Sequence, residues 1–252
     1  TGAARGLGAE FARQIGEKGL NLVLVDMIPD ELAQVADEVR KASKVDVTAV
    51  VTDLARQDFI EALRRETAGA EIGLLVSNAA YPPVGLFFDQ SLDDKRRMID
   101  VNCRAPLLLV QEFGAKMLAR KRGGIILLSS MGALQGVAYL ASYSATKAYN
   151  LILAESLWDE LREHGVDVLG FLPGATRTPG FEASKPHLER STLAAVAEAK
   201  PTVAEALRVL GKTPSWIPGR RNRWSLTLVQ RLLPRKMTIK LVASNMRQWY
   251  GK

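Results

Sequence analysis

Tyr143 and Lys147 stand four residues apart in the run Tyr143-Ser144-Ala145-Thr146-Lys147. On a helix that spacing puts both side chains on one face. An ammonium beside a phenol favours the phenolate and draws the tyrosine pKa from about 10 toward neutrality. Tyr143 would then act as a general acid or base in interconverting a hydroxyl and a carbonyl. Such a pair also arises by chance on many helices, so its meaning depends on what surrounds it.

A second constellation opens the chain. Thr1-Gly2-Ala3-Ala4-Arg5-Gly6-Leu7-Gly8 is a glycine-rich turn that runs into a helix. Gly2, Gly6 and Gly8 let the backbone turn tightly and approach a pyrophosphate, whose charge helix N-terminal amides would meet. About twenty residues on, the apolar run Leu22-Val23-Leu24-Val25 ends at Asp26. A carboxylate there can accept both hydroxyls of an adenosine ribose and would repel a 2′-phosphate. It could equally cap the helix starting near Pro29. Arg5 could reach a 2′-phosphate, which Asp26 would oppose.

The elements that must position these groups alternate along the chain. Residues 20–25, 45–51, 72–76, 125–128 and 166–172 are short apolar runs that read as strands covered on both faces. Residues 9–18, 30–42, 57–67, 92–120 and 143–164 carry helical spacing. Strand and helix in alternation give a doubly wound parallel α/β sheet with right-handed crossovers, in one domain spanning residues 1–252. Residues 180–200 read as a substrate loop or a pair of short helices. The glycine turn needs a strand before it, so a central first strand is expected upstream of Thr1, and a protein beginning at Thr1 is expected to fold poorly.

Composition excludes other classes. The chain has 252 residues, is 47% hydrophobic and 24% charged, and carries a net charge of +7, as a soluble globular protein does. Its apolar runs fall well short of the roughly 18–20 residues of a membrane span. A single cysteine, Cys103, permits no internal disulfide and suits a reducing, cytoplasmic setting. Cys103 itself reads as a small core residue. Two histidines and one cysteine make no ordinary zinc site, so no metal is expected. The charge is uneven: after Glu205 no acidic residue occurs, whereas eleven basic ones follow. This argues against a surface coated for nucleic acid and for a tail with its own partner. The basic extension, residues 212–252, interleaves apolar and basic positions. It would lie on an anionic membrane surface, receive an acidic, greasy substrate such as an acyl thioester, or pack on its own domain or a second subunit with a solvated basic face.

Taken together, the glycine turn, Asp26 and the Tyr–Lys pair resemble the short-chain dehydrogenase/reductase family, over about residues 1–180 and 201–211. Further motifs agree. Ser130 lies thirteen residues before Tyr143 at a strand end, and Asn102 sits in Asp100-Val101-Asn102. Ser77-Asn78-Ala79-Ala80 matches the family's Asn-Asn-Ala-Gly with departures at Ser77 and Ala80. Pro173-Gly174 followed by Thr178 matches its Pro-Gly-x-x-x-Thr segment, and Asp53-Leu54 stands where the family contacts adenine.

The resemblance implies a Rossmann-type fold that binds NAD, with NADP as the lesser choice. The implied cofactor contacts are Gly2, Arg5, Gly6, Leu7, Gly8, Asp26, Asp53, Leu54, Asn78, Ala79, Ala80, Tyr143, Lys147, Pro173, Gly174 and Thr178. It implies catalysis by Asn102, Ser130, Tyr143 and Lys147. Ser130 and Tyr143 would hold the substrate oxygen, Lys147 the nicotinamide ribose, and Asn102 a water leading to solvent. Ser129, adjacent to Ser130 on an extended chain, would face the other way. A homo-oligomer is implied too, although the family's usual final strand and Val-Asp-Gly-Gly-like ending are not legible after Gly211. The expected activity is NAD-dependent interconversion of a small secondary alcohol and its ketone. The alternatives are an NADP-linked reductase of an acyl or steroid-like carbonyl, and a catalytically silent nucleotide-binding partner at a membrane.

Overall fold

The computed structural model describes residues 1–184, 186–187 and 196–251. Each predicted apolar run is a strand: β1 (Leu22–Asp26), β2 (Val47–Val51), β3 (Leu74–Ser77), β4 (Gly123–Leu128) and β5 (Val166–Phe171). A sixth, β6 (Ser215–Trp216), pairs parallel to β5. This corrects the expectation of no strand after Gly211. Two residues without an apolar run give no periodic signal.

All pairings are parallel, in the orders β1-β2 and β3-β4-β5-β6. Between β1 and β3 the two sheets share no ladder, and the chain's first residues bridge them. The Thr1 amine donates to the Val76 carbonyl (2.9 Å), and the Ala3 amide to that of Val25 (3.2 Å).

Both faces of the sheet are covered, which explains why its strands are apolar throughout. Along β4 and β5 alternate residues face opposite ways. Ile125, Leu127 and Val168 pack under Phe59, Leu63, Leu109, Phe113 and Met117. Ile126, Leu128, Leu169 and Phe171 pack instead with Phe11, Ile15 and Val203. The covering helices are α1 (Gly6–Gly16), α2 (Pro29–Ser43), α3 (Phe59–Glu66), a long helical stretch made of α4 (Leu92–Ile99), α5 (Ala105–Leu109) and α6 (Ala115–Ala119), then α7 (Ala141–Arg162), α8 (Pro179–Ala183) and α9 (Ala199–Val209).

The stretch from α4 to α6 contains π-turns at Asp100–Arg104 and Val110–Gly114. Pro106 accounts for the first. It has no N–H for the carbonyl four residues back, that of Asn102, and its ring displaces that carbonyl from the ladder. The freed Asn102 carbonyl accepts instead from Asn150 Nδ2 (2.8 Å).

The basic extension folds as two helices, α10 (Arg220–Leu232) and α11 (Arg235–Tyr250), turned at Leu233-Pro234. Met246 and Trp249 of α11 pack with Val137, and with Phe181 of α8. One face of α11 thus packs on the chain's own domain. Of the expected substrate loop at 180–200, the structure gives α8, a bridge between Thr176 and Ala197 and the start of α9. Residues 185 and 188–195 lie outside the described residues.

Candidate active site

The strand ends at one side of the sheet open into a single cavity of about 680 Å³. It receives every residue named above as catalytic or cofactor-binding except Gly8 and Asn102. At its floor lies the glycine turn. Gly2 and Gly6 have positive φ (64° and 55°), which side chains beyond glycine rarely adopt. Gly8 does not line the cavity, because its role is packing: a Cβ there would sit 1.9 Å from the Gly2 carbonyl oxygen. No side chain caps α1, so its first amides are open to an anion. Asn78 fastens the turn to β3, donating from Nδ2 to the Thr1 and Gly2 carbonyls (2.9 and 3.2 Å). A cradle open at its amides and closed to any Cβ fits a dinucleotide pyrophosphate.

Asp26 holds backbone amides on both sides of β1. One oxygen accepts from the Ala4 amide (3.0 Å), locking the turn to β1; the other accepts from Met27 and Ile28 at the start of α2. The Arg5 guanidinium pairs with both carboxylate oxygens of Glu31. Asp53 accepts from Arg97 Nη2 (2.9 Å) and from the Ala55 amide. Arg97 also lies 5.5 Å from the Tyr81 ring centroid and lines the cavity. Sequence reasoning missed Arg97 and Tyr81. Tyr81 directly follows the Asn78-Ala79-Ala80 motif, which could have flagged it, whereas Arg97 carries no local signal.

At the other end of the cavity stand Ser130, Tyr143 and Lys147. Ser130 and Tyr143 both line the cavity, and the Ser130 hydroxyl accepts from the Gly132 amide (3.1 Å). Ser129 turns away, as the strand's alternation requires, and donates to the Lys147 carbonyl (2.7 Å). Lys147 shares a helix face with Tyr143, its Nζ 5.7 Å from the ring centroid, and donates to the Leu128 carbonyl (2.7 Å).

The electrostatics differ from the expectation. Burial pushes the Tyr143 hydroxyl up to about 12, with the Ser130 side chain opposing it. Burial also pushes the Lys147 ammonium down from 10.5 to about 8. Loss of water around both groups therefore outweighs their mutual influence, and Tyr143 rests as the phenol, ready to donate.

Asn102 is fully buried behind the cavity. Its Oδ1 accepts from the Tyr81 amide (2.8 Å) and its Nδ2 donates to Thr146 Oγ1 (3.1 Å). Its side chain thus clamps the segment after β3 to α7. Thr178 caps α8, accepting from the Phe181 amide (3.2 Å), and a Cβ on Gly6 would meet it at 2.9 Å. Cys103, expected in the core, is only half-buried.

α10 and α11 roof the catalytic end. Leu226, Val242, Met246 and Trp249 supply apolar wall, with Val137 and Phe181 opposite. The roof is tied down by Glu205 of α9, which accepts from Trp216 Nε1 (2.8 Å), the Gly219 amide (3.1 Å) and Arg223 Nη1 (2.8 Å), with Arg223 stacked 4.2 Å above the Trp216 ring. We predict that Arg223→Met, which loosens the roof and leaves the cofactor end untouched, costs about 1–3 kcal/mol of stability. It should raise KM for a bulky substrate severalfold while cofactor Kd stays the same. Thermal unfolding and steady-state kinetics check this.

The family model for short chain dehydrogenase matches residues 1–189. The chain belongs to this family. It is 31% identical over 194 residues to the human very-long-chain 3-oxoacyl-CoA reductase, covering 75% of this chain and 62% of that protein, so the chain spans about six-tenths of the length of that relative. It is 34% identical over 208 residues to the oxidoreductase UcpA of Salmonella typhimurium, covering 80% of this chain and 78% of that one. Among solved structures, a 7β-hydroxysteroid dehydrogenase superposes with a TM-score of 0.87 at 26% identity, covering 96% of this chain and 94% of the other. A short-chain dehydrogenase from Sphingobium yanoikuyae in complex with NADPH gives 0.80 at 30% identity, covering 91% of each chain. This chain has the doubly wound α/β fold of that family.

Proposed function

We propose that the protein interconverts a bulky, largely apolar secondary alcohol and its ketone, using NAD(H). The observation that carries this reading is one continuous cavity. It runs from the glycine turn and Asp26, past Ser130, Tyr143 and Lys147, to apolar residues of α10 and α11.

When bound, the nicotinamide supplies or takes up the hydride. The chain's own residues do the rest. Gly2, Gly6 and the first amides of α1 would hold the pyrophosphate, Asp26 the adenosine ribose, and Lys147 the second ribose. The Ser130 hydroxyl orients the substrate oxygen. Tyr143 gives that oxygen its proton in the reductive direction and takes it back in the oxidative one. The roof excludes water.

NAD is favoured over NADP because the Asp26 carboxylate, which lines the cavity at the end of β1, would lie near a 2′-phosphate, and Glu31 adds a second negative charge beside Arg5. Like charges about 4 Å apart cost roughly 1–4 kcal/mol, or about one to three decades in affinity. NADH should therefore bind at least tenfold tighter than NADPH, and Asp26→Ser should narrow the gap. Tighter NADPH binding by the wild type would refute the assignment.

A second reading, reduction of an acyl thioester, has the 3-oxoacyl-CoA reductases in its support. The very-long-chain 3-oxoacyl-CoA reductase of Mus musculus matches 96% of the chain at 26% identity, the same share and identity as the hydroxysteroid dehydrogenase. The apolar wall that α11 supplies suits a bulky, apolar substrate body. Turnover of a secondary alicyclic alcohol against a 3-hydroxyacyl thioester separates the two.

We also infer that the corner between α10 and α11 meets an anionic lipid surface. Among the described residues no helix is long and apolar enough to cross a membrane. At the corner, however, Leu232 is 68% and Met237 53% exposed, flanked by the exposed Arg231, Arg235 and Lys236. Apolar side chains beside cations, on a segment with no acidic residue, suit the interface of an anionic bilayer. Flotation with phosphatidylserine-containing vesicles should recover the protein at low salt and lose it on Leu232→Glu. No recovery at low salt would refute the contact.

A further inference from the structure

Asn150 is 2% exposed, and its side chain makes one hydrogen bond, from Nδ2 to the Asn102 carbonyl (2.8 Å). A carboxamide buried for a single bond adds little stability over an apolar side chain of its size. Its place on α7 shows what that bond fixes. Tyr143, Thr146, Lys147 and Asn150 stand at i, i+3, i+4 and i+7, along one stripe of the helix.

Asn102 grips this stripe at two points. Its Nδ2 donates to Thr146 Oγ1 (3.1 Å), which donates in turn to the Tyr143 carbonyl (2.8 Å). Its carbonyl, freed from the helical ladder by Pro106, holds Asn150 one turn further on. Asn102 is itself fixed to the cavity wall, since its Oδ1 accepts from the amide of Tyr81, a lining residue. Toward β4 the ties converge on Lys147: Ser129 donates to its carbonyl, and its Nζ donates to that of Leu128 (both 2.7 Å). Ties at one residue do not set a helix's rotation about its axis. Two ties one turn apart on one stripe do.

We propose that Asn150 is a positioning residue for the redox reaction: by holding the carbonyl that Pro106 frees, it sets the rotation of α7 and so the aim of Tyr143 and Lys147. Asn150 does not line the cavity, so it acts on substrate and cofactor only through that helix. A reacting group misplaced by about 1 Å can lose about a hundredfold in rate. This rests on the alcohol–ketone reading and adds to it a residue behind the catalytic set.

The test is a double-mutant cycle with Pro106. Pro106→Ala returns the helical amide that the Asn102 carbonyl lacks, so Asn150 is then no longer needed for it. In the wild-type background, Asn150→Leu should lower kcat on a polycyclic secondary alcohol about 10–100-fold, with KM changed less than about threefold. It should also weaken NADH about three- to tenfold, through Lys147. In the Pro106→Ala background the same substitution should change kcat and NADH Kd by less than about threefold, and Pro106→Ala alone should stay within about threefold of wild type. Equal losses in both backgrounds, or wild-type kcat and Kd in Asn150→Leu, overturn the positioning role. Should Asn150→Leu not fold, Asn150→Ser, whose donor is shorter, takes its place in the cycle. NADH Kd is read from nicotinamide fluorescence and needs no turnover. A wild type that binds NADH but turns over no alcohol would sink the redox reading, and the Kd arm alone would then decide whether Asn150 aims Lys147.

Discussion

Tyr143→Phe should lower kcat by about 10²–10⁴-fold, the usual worth of a positioned general acid or base, and leave NADH affinity within about threefold. The phenylalanine ring keeps the packing on α7 and loses only the hydroxyl. Because burial holds that hydroxyl near 12, wild-type Tyr143 is a phenol at neutral pH and fits the donor role in reduction. In the oxidative direction it must lose a proton, so the rate should climb with pH through the neutral and alkaline range. Steady-state kinetics in both directions check this. A phenylalanine variant within tenfold of wild type would remove Tyr143 from the mechanism.

Lys147→Met should abolish activity while making the cofactor-free protein more stable at neutral pH. The ammonium titrates near 10.5 in the unfolded chain and near 8 in the fold. Between those values the unfolded state holds more protons, so native stability rises with pH across that window. Below about pH 8 the burial penalty is complete and of order 3 kcal/mol. Loss of the Nζ bond to Leu128 offsets part of the gain on substitution. We expect a net gain of about 1–3 kcal/mol below pH 8 that vanishes by about pH 10. Urea unfolding at several pH values measures it. A methionine variant that is destabilised equally at pH 7 and pH 10 would show that Lys147 is not a strained charge.

Much of this site was legible from residue types and spacing. The Tyr143–Lys147 interval, the glycines before α1 and the acid ending β1 each encode local geometry, and local geometry survives folding. Ser130 and its outward partner Ser129 followed from the two-residue alternation of a strand. The unread features depend on distant contacts. The direction of the Tyr143 shift turns on burial in the folded chain, which spacing within one helix does not reveal. The mixed apolar and basic pattern of residues 212–252 is as suitable for a lipid surface as for a protein wall, and only Val137 and Phe181 reveal that α11 covers the chamber. Arg97 joins Asp53 across forty-four residues. The π-turn before Pro106 was foreshadowed by that proline, since the carbonyl it frees belongs to Asn102.

The central claim is that this cavity oxidises and reduces a bulky secondary carbinol through Tyr143. The most direct measurement mixes the protein with NAD and a panel of polycyclic secondary alcohols and follows the absorbance of the reduced nicotinamide. The account predicts its appearance with wild type and a loss of at least about a hundredfold with Tyr143→Phe. A wild-type protein that binds NAD and such alcohols together, yet forms no reduced cofactor at any pH, would contradict it.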